Sequence, residues 1–378
     1  MKIDSKVTPQ KLVDYAAQGE KTEQRAAFAA AVSELASSSL GTAPARKVID
    51  VITQLFEADE ALNQPHTLLV HQRAKLLFEL LGAYAKEKEN TNCWSTVKKM
   101  AVLQPYAPEI PNLIEVVAKS LRIQGSSNLV LLISCHPRVE IAMATRKRLQ
   151  KILGSTFRIL IVVGQREAPL HPPILNEDLL VVDANDNYES LPEKITKTFE
   201  YIYRTFGANT NCFKVDEDLP INNSDQLQKL MLSLTKSNFD YAGFAGNNKA
   251  NFERTWHYGK CENAELSRRP YGKRYPGAFA YGPFYFLSSK AIRAFASETI
   301  RFPDEIQGHL YEDKFIGDTL REAGITISAL EPNEWIEAVG TQWWTINRLW
   351  NGKENKLLSA NVTLAKPSTS EHLKEVLS

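Results

Sequence analysis

Two groupings of carboxylates in this chain have residue types and spacing suited to chemistry. The first lies in Phe213-Lys214-Val215-Asp216-Glu217-Asp218-Leu219-Pro220. A short strand ending at Val215 would deliver three carboxylates to the carboxyl edge of a sheet, where α/β proteins place ligands. In extended backbone residues i and i+2 share a face, so Asp216 and Asp218 are expected to point together and Glu217 away. Two convergent carboxylates are hard oxygen ligands suited to Mn²⁺ or Mg²⁺ carrying a diphosphate. Such an ion would neutralise charge gathering on a departing phosphate. In isolation, an Asp-x-Asp pattern is more often a solvated acidic turn.

The second grouping is Glu312-Asp313, in Tyr311-Glu312-Asp313-Lys314-Phe315-Ile316-Gly317. Phe315, Ile316 and Leu320 have helical spacing, which puts both carboxylates at a helix start. The bland account is charge–dipole complementarity. The functional account is a base that takes a proton from a hydroxyl nucleophile. A helix N-terminus lowers a carboxylate's pKa, so that role would depend mainly on positioning. A third stretch, Lys273 to Ser288, mixes aromatic and small residues. It offers the flat surface and close backbone approach of a sugar-binding wall, although Phe284 and Phe286 read as core.

The elements around these residues alternate. Leu129–Ile133, Ile159–Val163 and Leu179–Val182 are short, uniformly apolar runs, as expected of strands buried on both faces of a mostly parallel sheet. Arg138 to Leu153 reads as a basic helix. Ser190-Leu191-Pro192-Glu193 is a capping-box pattern, followed by Leu191, Ile195, Phe199, Ile202 and Phe206 at helical spacing up to Gly207. The expected class is therefore α/β. Residues 1–122 read instead as helical, with stripes at Leu12-Val13-Ala16, at Val48-Val51-Ile52-Leu55 and at Leu77-Leu80-Leu81-Tyr84. That region is expected to dock a partner or self-associate.

Composition narrows the classes. Lys plus Arg number 45 against 44 Asp plus Glu, a net charge of +1, which disfavours a protein built around a broad nucleic-acid surface. No apolar run is long enough to cross a bilayer, and the first residues lack the apolar segment of a signal peptide. The four cysteines are scattered, without a CxxC pair, as expected of reduced thiols in a cytoplasm. The sequence lacks GxGxxG after a strand, GxxxxGK[ST], HExxH and GxSxG, which removes several common enzyme classes.

Taken in order, the segments resemble the β-1,3-galactosyltransferase/Fringe family of inverting, nucleotide-sugar-dependent glycosyltransferases. Asp183-Ala184-Asn185-Asp186-Asn187-Tyr188-Glu189-Ser190-Leu191-Pro192-Glu193-Lys194 follows the family's D-x-x-D-x-Y-x-N-L-T-x-K, with the N-L-T portion altered. Lys214 to Asn222 matches K-x-D-D-D-x-x-x-N. Trp256, Tyr275-Pro276, Gly282, Tyr285 and Leu287-Ser288 parallel its tryptophan and Y-P…L-S region. Glu312-Asp313 with Gly317 resembles E-D-V-x-x-G.

The resemblance spans roughly residues 134–325 and implies a GT-A fold over about 123–350, with 351–378 as a C-terminal tail. It implies a UDP-sugar donor, of galactose or N-acetylhexosamine type, and a hydroxyl on a glycan or glycoconjugate acceptor. It implies Mn²⁺ or Mg²⁺ held by Asp216 and Asp218, and Asp313 as base with Glu312 as the alternative. Asp183, Lys194, Glu217, Trp256, Gly282 and Tyr285 would lie toward the nucleotide-sugar. Arg138 and Arg146 are candidates for early arginines approaching the donor, or solvated helix charges.

The chain departs from the family in three ways. The only histidine after Glu312-Asp313 is His372, so a histidine metal ligand is missing. Pro283-Phe284 interrupts the glycine-rich stretch. The Golgi relatives' membrane anchor has no counterpart, so a cytoplasmic protein is expected, peripheral membrane contact being compatible with it. A non-catalytic sugar-nucleotide binder on the same scaffold is the alternative. A metal-dependent phosphohydrolase would explain the carboxylates but not the Trp256 and Tyr275–Ser288 region. Trp343-Trp344 and Trp350 are either an acceptor platform or buried anchors.

Overall fold

A computed structural model describes residues 44–61, 70–122, 125, 127–166, 168–245, 254–331 and 338. The stripe at Leu12-Val13-Ala16, the tryptophans at 343, 344 and 350, and the tail 351–378 lie outside the described residues. The chain divides into two compact units, one of residues 1–123 with 297–303, the other of 124–296 with 304–378.

In the first unit, helices α1 (Ala45–Ala61), α2 (Val70–Lys86), α3 (Asn90–Leu103) and α4 (Ile110–Leu121) each pack on the next. The expected stripes form their contact: Val48, Val51, Ile52 and Leu55 of α1 are buried, as are Leu77, Leu80 and Leu81 of α2. The polar run at 86–90 makes the α2–α3 turn, where Lys88 takes the left-handed conformation (φ 60°) and Glu89 N–H bonds the Tyr84 carbonyl.

The second unit is α/β. Its sheet contains β1 (Asn128–Ile133), β2 (Phe157–Gln165), β3 (Ile174–Asn176), β4 (Leu179–Asn185), β5 (Asn211–Asp216), β6 (Tyr241–Ala245), β7 (Ala280–Leu287) and β8 (Ser328–Ala329), in the order β3-β4-β2-β1-β5-β7-β6-β8. The strands β4, β2, β1 and β5 run parallel, and the apolar runs expected as strands form three of them. β7 reverses direction, pairing antiparallel with both β5 and β6, so only one half of the sheet is purely parallel.

Alternation along the strands decides what each helix covers. Val130 and Leu132 of β1, with Ile159 and Ile161 of β2, share a core with Leu149 of α5 (Val139–Leu153) and Met231 of α7 (Ser224–Lys236). Leu129, Leu131, Leu160 and Val162, which alternate with them, are also fully buried, so both faces are covered. α6 (Leu191–Thr205) packs on β4 and β2, and α9 (Glu312–Glu322) on β7 and α6. Phe295 of α8 (Ser289–Arg301) bridges them, with ring centroids 5.7 Å from Phe199 and 5.8 Å from Phe315. Gly317 lets α9 sit against β7's approach, since a Cβ there would overlap Phe279.

The capping box at Ser190 does not form. The Ser190 side chain makes no cap bond; instead Asn187 Oδ1 accepts from Ser190 N–H at 3.0 Å. An asparagine turn ahead of the helix therefore replaces the serine hydroxyl. The four cysteines are free thiols.

Candidate active site

β1 pairs β2 on one side and β5 on the other, so the chain leaves its carboxyl end in opposite directions, the topological switch at which open α/β sheets take ligands. Asp186 organises this end. Its carboxylate accepts from His136 N–H at 2.6 Å, Gly164 N–H at 2.7 Å and Lys194 Nζ at 2.7 Å. Lys194 also donates to the Ser134 carbonyl at 2.9 Å. One buried ion pair thus ties the ends of β1, β2 and β4 together. Gly164 is required here, because a Cβ would stand 2.6 Å from the Ala184 carbonyl oxygen.

Beside this clamp, the acidic triplet is arranged differently from the strand-alternation expectation. β5 ends at Asp216, and Leu219 N–H closes a turn on the Asp216 carbonyl at 3.2 Å. Alternation does not carry across a turn, and the carboxylates divide by partner. Asp216 accepts from Lys214 Nζ. Glu217 and Asp218 share the Arg138 guanidinium, with Nε 2.7 Å from Glu217 and Nη2 2.8 Å from Asp218. Glu217 is buried while the Asp218 side chain is half exposed. Burial, and then Asp216, push the Glu217 carboxyl up to about 7 against the pull of Arg138.

Lys214 joins the two carboxylate groupings. It is 2% exposed and reaches Asp216, the Gly282 carbonyl and, at 3.0 Å, Glu312 Oε1. Burial pulls its pKa down, but Asp216 and Glu312 outweigh burial and raise it. Gly282 lies between the groupings: its N–H donates to Asp313 Oδ2 at 3.0 Å, and a Cβ would stand 3.1 Å from Glu312 Oε1. The close backbone approach anticipated for a sugar is made by the protein's own carboxylates.

Asp313 is the member without a cationic partner among its hydrogen bonds. Its second oxygen accepts from Lys314 N–H at 2.7 Å. The expected lowering by the helix start is present in that bond, yet burial first, and Glu312 second, hold the Asp313 carboxyl well above the usual carboxylate range. The expected direction is thereby reversed. Desolvation in this corner outweighs two backbone donors.

One wall of the site comes from the segment that begins at Arg254. His257 is fully buried, with Nε2 3.0 Å from the Leu266 carbonyl and 2.8 Å from that of Arg269. Carbonyls only accept, so Nε2 carries the proton and Nδ1 accepts from the Tyr311 hydroxyl at 2.9 Å. This fixes the segment to the residue preceding α9. It presents Trp256, which is 41% exposed, and Lys260, whose ammonium lies 3.6 Å from the Trp256 ring centroid and 5.6 Å from that of Tyr188. Protein crowding lowers the Lys260 pKa while Asp216 and Asp218 pull it back up, and the side chain keeps contact with solvent.

Several expected site residues lie elsewhere. Arg146 pairs with Asp178 and donates to the Ile159 carbonyl, toward the amino end of β2, because its place in mid-helix carries it past the carboxyl edge. Asp183 pairs with Lys197 at 3.4 Å, on the α6 side of β4. Lys194 is buried as part of the clamp and presents no free charge. Tyr285 is fully buried beneath Lys214, its ring centroid 5.8 Å from Nζ. Phe279, Tyr281, Phe284 and Phe286 are buried as well, so the β7 part of the stretch expected to form a sugar-binding wall is core, while Tyr275 is partly exposed and Trp256 and Tyr258 are exposed aromatics. Lys214, Asp186, Tyr188 and Lys260 were not singled out for these roles. Lys214 and Asp186 are polar residues inside or just after apolar strands, a signal that could have marked them; Lys260 carries no such signal.

The arrangement does not fit a divalent ion held by Asp216 and Asp218. Each is already engaged by a different cation, Asp216 by Lys214 and Asp218 by Arg138. Among the described residues no group of three or more His, Cys, Asp or Glu is placed to hold a metal ion. Also among the described residues, no helix is long and apolar enough to cross a membrane.

Residues 170–331 match the family model described as Galactosyltransferase. The span holds β3 to β8, the acidic triplet, the Tyr275–Ser288 stretch and Glu312-Asp313. The match supports the family to which the order of motifs points, and supports a glycosyltransferase reading of the α/β unit. No curated protein matches the chain.

Proposed function

We propose that the α/β unit transfers a hexose, of galactose or N-acetylhexosamine type, from a UDP-sugar to a hydroxyl of a glycan or glycoconjugate acceptor, with inversion. The observation that carries this reading is Asp313, a carboxylate held above its usual pKa and joined through Gly282 and Lys214 to the acidic end of β5. The acceptor oxygen forms a bond to the anomeric carbon while the bond from that carbon to the diphosphate breaks, its electron pair leaving with UDP. The acceptor's proton passes to Asp313. A base is most effective when its pKa is near the working pH, and the elevation of Asp313 supports that role. Glu312, paired with Lys214, acts on the electrostatics of the pair.

Asp313→Asn tests the reading. UDP binding is expected to persist, while transfer falls by about 10²–10⁴-fold, the usual contribution of a general base. Loss of UDP binding together with transfer would remove Asp313 from the role of base. UDP binding with no transfer in the wild type, across a panel of donors and acceptors, would favour the non-catalytic alternative.

A further inference from the structure

The Asp313 carboxylate is held by two backbone donors, Gly282 N–H at 3.0 Å and Lys314 N–H at 2.7 Å. Its place against Gly282 depends on where α9 begins, because Asp313 lies in the first turn of that helix and Gly282 lies on β7. A helix start is ordinarily fixed by a capping side chain. Here the cap residue is Tyr311, whose side chain makes no cap bond. Phe315 N–H closes the first turn on the Tyr311 carbonyl at 3.1 Å, so a shift of Tyr311 would carry Glu312 and Asp313 with it.

The Tyr311 side chain is anchored away from the helix. It is buried, its ring centroid lies 4.3 Å from that of Tyr271, and its hydroxyl donates to His257 Nδ1 at 2.9 Å. His257 is fully buried, and its other nitrogen meets the Leu266 and Arg269 carbonyls. The segment around it is braced from within: Tyr271 N–H bonds the Arg254 carbonyl, and Gly259 N–H donates to Ser267 Oγ, each at 2.7 Å. It is also tied to the residues before α6, where the Glu189 carboxylate accepts from Glu262 and Asn263 N–H at 3.1 and 2.9 Å. A buried imidazole with both nitrogens engaged, one by its own loop and one by the residue that starts a helix, joins the two as a strut.

Resting on the reading above that Asp313 takes the acceptor's proton, we propose that His257 and the Tyr311 hydroxyl are positioning groups for the transfer, their bond fixing the first turn of α9 and so the Asp313 carboxylate against Gly282 of β7. His257 is fully buried, so the pair acts through Asp313 and not on the substrate. A base must lie within hydrogen-bond reach of the proton it removes. A misplacement of about 1 Å, caused by a change away from the chemistry, can cost about 10²-fold in rate. The same strut holds the segment that presents Trp256, so the exposed ring and the base keep one spacing.

Hydrogen–deuterium exchange of the whole chain, read at the Gly282 amide, tests this without substrate. Asp313→Ala removes the acceptor of that amide and calibrates the readout, with exchange expected to quicken by at least about tenfold. Tyr311→Phe keeps the buried ring and loses only the hydroxyl; it is expected to quicken Gly282 exchange by about three- to tenfold, the scale of one lost hydrogen bond. Ser267→Ala loosens the same segment without touching the His257–Tyr311 bond, and is expected to leave Gly282 within about twofold of the wild type. In transfer assays Tyr311→Phe is expected to lower kcat while KM and UDP affinity stay near the wild-type values. Unchanged Gly282 exchange in Tyr311→Phe would overturn the proposal, and unchanged exchange in Asp313→Ala would remove the bond on which it rests. Equal quickening in Ser267→Ala and Tyr311→Phe would overturn it too, reducing the pair to general support of the segment. Quickened exchange in Tyr311→Phe beside full transfer by Asp313→Asn would instead overturn the reading of Asp313 as base and leave the anchoring of α9 standing.

Discussion

The carboxyl end of β5 and the amino end of α9 each bring acidic residues to one corner of the sheet, and the protein partners them differently. At β5 every carboxylate has a cation: Lys214 for Asp216, and Arg138 for Glu217 and Asp218. At α9 only Glu312 has one, and Asp313 is left with backbone N–H donors from Gly282 and Lys314. A paired cation does not by itself keep a carboxyl low here: burial raises Asp216 despite Lys214 and pushes Glu217 up to about 7 despite Arg138, as it raises Asp313. What differs is the direct hydrogen-bonding partner, a full charge at β5 and peptide N–H groups at Asp313, on which Lys214 adds a lowering pull and Glu312 a raising one. Burial costs a lone carboxylate more than two backbone bonds return here.

This contrast can be broken at the residue the two ends share. Lys214→Met leaves Asp216 and Glu312 facing each other without their buried cation, and is expected to cost about 3–5 kcal/mol, measured by denaturant unfolding. A loss under 1 kcal/mol would mean that Lys214 does not join the two ends.

A smaller effect sharpens the contrast through pH. The folded-state pKa of Asp313 is raised, so its contribution to stability is fully present below the ordinary aspartate value of about 4 and is lost as pH rises through the elevated folded value. The wild type should therefore lose stability relative to Asp313→Asn across that interval. The transfer rate should rise over the same interval, because the base must first lose its proton. Parallel stability curves for the two proteins would remove the elevation of Asp313.

The smallest effect belongs to Arg138, whose side chain is 42% exposed. Arg138→Ala is expected to change unfolding stability by less than about 1 kcal/mol, since the Arg138 and Asp218 side chains are open to screening by water and the Glu217 carboxyl, already raised to about 7, can take up a proton. A cost like that of Lys214→Met would show that the β5 end is as dry as the corner beneath it.

Much of the fold was legible because burial on two faces leaves an unmistakable pattern. Leu129–Ile133 and Ile159–Val163 are apolar at every position, and each became a central strand. α9 begins at Glu312, where helical spacing put it. The site was legible in its carboxylates and less so in their partners. Asp216 and Asp218 stood out by type, but their separation depended on the turn at Leu219, which interrupts the alternation from which their common direction was inferred. Tyr285 and Lys194 were placed on the ligand side because position in a motif says nothing about depth, and both are buried. Lys260 escaped notice because a lysine in a polar loop has no local signature.

The sequence by itself determined the α/β class, the strand runs, the helix start at Glu312 and the identity of the acidic groups, since these depend on periodicity and side-chain type within a few residues. Only the tertiary structure decided which cation meets which carboxylate, that Asp186 rather than Asp183 receives Lys194, and that the Lys260 ammonium comes to lie on the Trp256 ring. Some of those pairings join residues far apart in the chain, as Arg138 and Asp218 are, 80 positions apart. Their strength, and the proton affinity that follows, depend on burial and on neighbours supplied by other strands and loops, which no local pattern records.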